Sequence, residues 1–113
     1  MKEQIPLEKE IVKDILQTFR KAGLLAWKTH GSAYSTSGWP DIIVISRSGR
    51  FVGLEAKRPK IGRLTELQAS TLNKINGAGG FGYVVHSAEE AMQAIRIADC
   101  GAPCDYKYHG GRA

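Results

Sequence analysis

The sequence has no long apolar run, only two cysteines and three histidines, and each scarcity excludes a class of protein. A bilayer-spanning helix needs roughly 18 to 20 consecutive apolar residues, and no stretch approaches that. MKEQIPLEKE at the N-terminus also lacks the uninterrupted apolar region of a signal peptide. A cytoplasmic protein without membrane contact is expected. Cys100 and Cys104 lie close together near the C-terminus, without the second pair that a structural zinc site requires. Ordinary reduced thiols are expected there. At 113 residues the chain can bury one modest core but not two of ordinary size, and an apolar fraction of 42% with 24% charged excludes wholesale disorder and fibrous architectures. Sixteen Lys and Arg against eleven Asp and Glu leave a net charge of +5, which favours a polyanionic partner without naming one.

What is present is a clear succession of periodic segments. Ile11, Val12, Ile15, Leu16 and Phe19 recur at helical spacing within 5–22, and Gly23 supplies a stop. A short strand at 24–28 leads into the polar loop HGSAYSTSGWP. The β-branched stretch 41–46, the turn formers Arg47, Ser48, Gly49 and Arg50, and the stretch 51–57 read as a hairpin. After the basic loop RPKIGRL, Thr65 and Gln68 match a capping box for a helix with Leu67, Leu72 and Ile75 on its apolar stripe, stopped by Gly77, Gly79 and Gly80. A strand at 81–85 follows, then a last helix opened by Ser87 and Glu90 and carrying Ala91, Ala94, Ile95 and Ala98. The expectation is one domain over 1–98 and a weakly structured tail over 99–113.

Three charges interrupt strands that otherwise look like core. Alternation puts Glu55 and Lys57 on one face and Val52, Leu54 and Ala56 on the other, while Asp41 opens the neighbouring strand. The hairpin can therefore bring Asp41 and Glu55 together. Two adjacent carboxylates repel unless a cation neutralises them, and their hard oxygens suit Mg²⁺ or Mn²⁺. A cation there could activate water and offset phosphate charge, with Lys57 assisting. The bland reading is a turn-solvating Asp41 and a surface ion pair of Glu55 with Lys57. At about 100° per residue, Glu8 falls near the centre of the first helix's apolar stripe and Glu10 almost opposite. Glu8 either joins the acidic site or simply favours the helix N-terminus. Gln68 has two readings of equal standing, a capping residue or an orienting partner of the site. Ser32 is a candidate phosphate contact in the preceding loop, and His30 is better read as an ordinary loop residue.

Glu8, Gly38-Trp39-Pro40-Asp41, Glu55-Ala56-Lys57 and Gln68 together resemble the PD-(D/E)XK nuclease superfamily, in particular its small VRR-NUC branch, over about Glu8 to Ile97. The resemblance implies an α/β fold with a restriction-endonuclease-like core, a mixed four-stranded sheet flanked by helices in the order αβββαβα. It implies metal ligation by Asp41, Glu55, the backbone carbonyl of Ala56 and Glu8, with Lys57 as the motif lysine and Gln68 as the glutamine after the active-site strand. The implied reaction is hydrolysis of a DNA phosphodiester by water, dependent on Mg²⁺ with Mn²⁺ as substitute. Arg58, Lys60 and Arg63 in the adjoining loop, with Arg47 and Arg50 near the hairpin turn, are candidate phosphate contacts. Small members of the branch resemble Holliday-junction resolvases of phage or bacterial replication and repair, so branched DNA and a homodimer are expected. Phe81, Tyr83 and Trp27 are as readily core residues as interface residues. The competing classes are a noncatalytic nucleic-acid-binding module and a structural or assembly protein that keeps the fold.

Overall fold

The computed structural model describes residues 4–29, 37–101 and 106. Its first helix, α1 (Glu8–Lys21), buries the expected stripe of Ile11, Val12, Ile15, Leu16 and Phe19. It starts later than the apolar periodicity alone suggests, because Pro6 has no amide hydrogen and disfavours helical backbone at Ile5. The strands β1 (Leu25–Lys28), β2 (Ile42–Ile45) and β3 (Phe51–Ala56) then form an antiparallel meander. The helix α2 (Glu66–Gly77) carries the chain over to β4 (Phe81–Val85), which lies parallel to β3, and α3 (Ala88–Cys100) closes the succession. A parallel neighbour requires such a crossover. The result is a mixed four-stranded sheet in the order β1-β2-β3-β4, flanked by helices.

Alternation along the strands divides the sheet into two unequal faces. Ile42, Val44, Val52, Leu54, Ala56, Phe81, Tyr83 and Val85 face α1 and α3 and form the main core with them. Phe81 and Tyr83 are thus core residues, whereas Trp27 is 45% exposed. The other face receives α2, which packs on β3 and β4. Gly53 and Gly82 stand opposite each other in the β3–β4 register. A Cβ at Gly82 would lie 3.0 Å from the Leu72 side chain and 3.2 Å from its carbonyl oxygen, and one at Gly53 would lie 2.8 Å from Pro40 and 3.2 Å from Ile75. Two facing glycines therefore form the shallow track on which α2 sits. Asn76 secures the contact, accepting the Gly82 N–H at 2.7 Å. Leu67 is 51% exposed, because it lies in the first turn of α2 against Gly38 instead of over the sheet.

Ser87 caps α3 by accepting the Glu90 N–H at 3.2 Å, but the expected reciprocal bond is not made. The Glu90 carboxylate instead accepts the His86 backbone N–H at 3.0 Å and meets the His86 ring at 2.9 Å. The last helix continues through Cys100, which is exposed, and ends at Gly101 with φ 72°. Of the tail, 102–105 and 107–113, and with them Cys104, lie outside the described residues. Among the described residues no helix is long and apolar enough to cross a membrane.

Candidate active site

The antiparallel register pairs Ile42 with Leu54, and one step further it sets Asp41 opposite Glu55. Both side chains belong to the face that α2 covers, and both are buried, Asp41 at 6% and Glu55 at 1% exposure. Like charges directly opposite on a sheet destabilise it, so this pairing needs a compensating partner. Asp41 is held from two directions. Its Oδ2 accepts the Ala56 N–H at 2.8 Å, and its carbonyl accepts the Thr29 N–H at 2.9 Å. The Thr29 hydroxyl donates to the Pro40 carbonyl, which ties the end of β1 to the entry of β2.

Glu55 is less well satisfied. Gln68 Nε2 donates to its Oε2 at 3.0 Å, while the buried Oε1 finds no donor. Burial, and next the Asp41 charge, push the Glu55 carboxyl up from an ordinary 4.5 to about 9. Lys57 pulls it down, and a hydrogen bond to Asp41 and the Glu8 charge push it further up. The bond to Asp41 belongs to the protonated acid, since two ionised carboxylates offer no hydrogen. The donorless Oε1 belongs to the ionised form. Lys57 lies two residues beyond Glu55, buried at 8% exposure, with its backbone N–H on the Val85 carbonyl at 3.0 Å.

The two acids of the first turn of α1 have separate tasks. Glu10 Oε1 accepts the Leu7 N–H at 2.8 Å, capping the helix, whereas Glu8 is half-buried and its charge reaches Glu55. Gln68 likewise serves both uses that its position suggested. Its Oε1 accepts the Thr65 N–H at 3.0 Å and its backbone N–H donates to Thr65 Oγ1 at 3.1 Å, which completes the capping box and leaves Nε2 for Glu55. A side-chain amide has an acceptor and two donors, so one residue can do both.

The basic residues separate by location. Lys60 and Arg63 are exposed in the loop after Lys57. Arg58 is turned inward, its Nε donating to the Pro6 carbonyl at 2.9 Å and its Nη2 to the Ile5 carbonyl at 3.0 Å. Arg47 and Arg50 sit at the other end of β3, where Arg47 Nη2 donates to the Ala22 carbonyl at 2.5 Å and Arg50 lies over the Phe81 ring at 5.9 Å. They do not join the acidic end. Ser32 and His30 lie outside the described residues. Thr29 escaped the sequence reading, which has no signal for a hydroxyl that bonds a carbonyl eleven residues away.

Among the described residues no three His, Cys, Asp or Glu side chains converge to hold a metal ion. The carboxylates of Asp41 and Glu55, with the backbone carbonyl of Ala56, are the candidate oxygen donors, and Glu8 acts from further off. A buried carboxylate oxygen without a donor, beside a second buried acid, fits a hard divalent cation. A groove lined by Ile5, Pro6, Glu10, Asp14, His86 and Ser87 contains neither Asp41 nor Glu55.

The model of one protein family, described as the VRR-NUC domain, matches residues 3–89, from the lead-in of α1 to the first turn of α3. A solved structure titled VRR-NUC domain superposes with a TM-score of 0.62 at 24% identity, covering 81% of this chain and 94% of that one. No curated protein matches.

Proposed function

Because the chain belongs to the VRR-NUC domain family, a nuclease-type domain, we propose that it is a divalent-metal-dependent DNA endonuclease of the PD-(D/E)XK superfamily, related to Holliday-junction resolvases. The observation that carries this reading is the buried Asp41–Glu55 pair, with a carboxyl pushed up to about 9 and an oxygen that lacks a donor once ionised. A stable protein tolerates such a pair when function requires it. Mg²⁺ is the proposed ion and Mn²⁺ its substitute, held by Asp41, Glu55 and the Ala56 carbonyl with Glu8 in support. When bound, it would lower the pKa of water and offset charge on the phosphate.

The chain's own groups account for the rest. Asp41 is oriented by the Ala56 amide, and Glu55 by the Gln68 amide, so neither acid needs to reorganise as substrate arrives. The Lys57 ammonium, on the Glu55 side of the strand, would stabilise the charge that builds on the phosphate as water attacks. Lys60 and Arg63, exposed beyond it, would engage neighbouring phosphates. Branched or junction DNA is the proposed preference. Symmetric cutting of a junction needs two active sites, so a homodimer is proposed with it.

The test compares wild type with Asp41→Ala on matched linear duplex, flap and four-way-junction DNA, with Mg²⁺, Mn²⁺ or EDTA. Cleavage by the wild type that needs metal and vanishes in a folded Asp41→Ala variant is expected. Salt-sensitive DNA binding with no cleavage under either metal would move the protein to the noncatalytic binding class.

A further inference from the structure

Arg58 directly follows the motif lysine, in a basic loop where a phosphate contact is the obvious reading. Its guanidinium is committed elsewhere, with Nε on the Pro6 carbonyl at 2.9 Å and Nη2 on the Ile5 carbonyl at 3.0 Å. These carbonyls belong to the non-helical lead-in of α1, two and three residues before Glu8. That helix starts poorly by its own means. Its N-cap is Leu7, whose side chain has no acceptor for the exposed first-turn amides, and Pro6 before it donates nothing. Glu10 holds the Leu7 N–H at 2.8 Å, which secures the first turn internally but does not attach it to the sheet. The fork of Arg58 makes that attachment, from the residue next to Lys57.

We propose that Arg58 is a positioning residue, which pins the lead-in of α1 to the end of β3 and so sets Glu8 against the acidic pair. The proposal rests on the metal-site reading above and deepens it. Two parallel bonds from a planar guanidinium fix direction as well as distance, which a lysine cannot reproduce. Glu8 is half-buried in that first turn and α1 packs against β3, the strand that carries Glu55, so the place where the lead-in is pinned decides how Glu8 meets that strand. A slack lead-in would let Glu8 move away while both strands keep their register. A phosphate contact, by contrast, would depend on charge and leave α1 indifferent.

The experiment uses Arg58→Met, Arg58→Lys, Glu8→Gln, the double variant Glu8→Gln/Arg58→Met, and Asp41→Asn as control. Mn²⁺ affinity is read by calorimetry, amide exchange over residues 4–12 by mass spectrometry, and duplex DNA affinity in EDTA. Both Arg58 variants should speed exchange in that segment and weaken Mn²⁺ binding about tenfold, the lower end of what loss of an outer-shell partner costs. The double variant should bind Mn²⁺ no more weakly than Glu8→Gln alone, since a residue acting through Glu8 adds nothing once Glu8 is gone. Arg58→Lys should bind DNA in EDTA as the wild type does. Normal exchange in Arg58→Met, full rescue by Arg58→Lys, or additive losses in the double variant would overturn the proposal while Asp41→Asn still abolishes Mn²⁺ binding. If Asp41→Asn leaves Mn²⁺ affinity intact, the metal-site reading falls and the proposal falls with it.

Discussion

Glu55 holds the most consequential proton in the described structure. Its carboxyl titrates near 9 in the fold against 4.5 in an ordinary setting, chiefly because it is buried and next because Asp41 faces it. The folded state therefore binds this proton more tightly than the unfolded state does, and between those two values stability falls as pH rises. Thermal melts of metal-free protein should show the midpoint dropping from about pH 5 towards about pH 9, and Glu55→Gln should flatten that slope and melt higher at about pH 8. An unchanged slope in the variant would mean that Glu55 is not the group responsible. The same proton must leave when a cation is bound. Calorimetry of Mn²⁺ binding at about pH 7, repeated in buffers of different ionisation enthalpy, should find about one proton released per ion, and affinity should rise with pH up to the Glu55 titration. Binding without proton release would place the ion elsewhere.

At the scale of elements, α2 joins packing to chemistry. Its last turns rest on the Gly53–Gly82 track while its first turn presents Gln68 to Glu55, so a displacement at one end tilts the other. Gly82→Ala should cost about 1 to 3 kcal/mol in denaturant unfolding, as overpacking does, because the nearest atoms include Leu72 backbone that cannot rotate away. Gly77→Ala on the same helix meets nothing within 4 Å and should leave stability unchanged or slightly raised, as a control for helix propensity. Gln68→Glu separates the two roles of that residue, since a glutamate still completes the capping box but cannot donate to Glu55. Near-native stability with cleavage reduced about 10- to 100-fold is expected, and undiminished cleavage would deny the amide any part in the site. The elements themselves were legible because periodicity is local. β4 has the limits its sequence suggests, and Asp41, Glu55 and Lys57 stand out as charges in apolar stretches, although of the three only Glu55 lies inside a strand, since Asp41 precedes β2 and Lys57 follows β3. What was not legible depended on contacts distant in sequence, such as the Leu67 contact with Gly38, the Thr29 bond to Pro40 and the inward turn of Arg58.

At the scale of the whole molecule, the sheet separates two uses of positive charge that composition had merged. The +5 balance was visible in the sequence, but the direction in which each arginine points follows from the topology. At the hairpin end, Arg47 binds the carbonyl that follows α1, Arg50 covers Phe81, and the Ser48 backbone N–H donates to Asp99 at 2.9 Å. The last bond holds the Asp99 carboxyl below its usual range and fastens the turn to α3. These are structural ties. At the acidic end, Lys60 and Arg63 are exposed beside Lys57. Each lysine or arginine that meets a phosphate contributes about 0.9 to the slope of log affinity against log salt. In EDTA, Lys60→Ala and Arg63→Ala should each lower that slope by roughly this amount, and Arg63→Ala should do so with little change in melting temperature. Arg47→Ala and Arg50→Ala should do the reverse, melting lower while keeping the slope. If the hairpin arginines reduce the slope and the loop residues do not, DNA must approach the opposite end of the sheet, away from Asp41 and Glu55. Cleavage at the acidic pair would then require the same DNA to extend along β3 to its other end, so this comparison tests the orientation of the whole molecule without relying on catalysis.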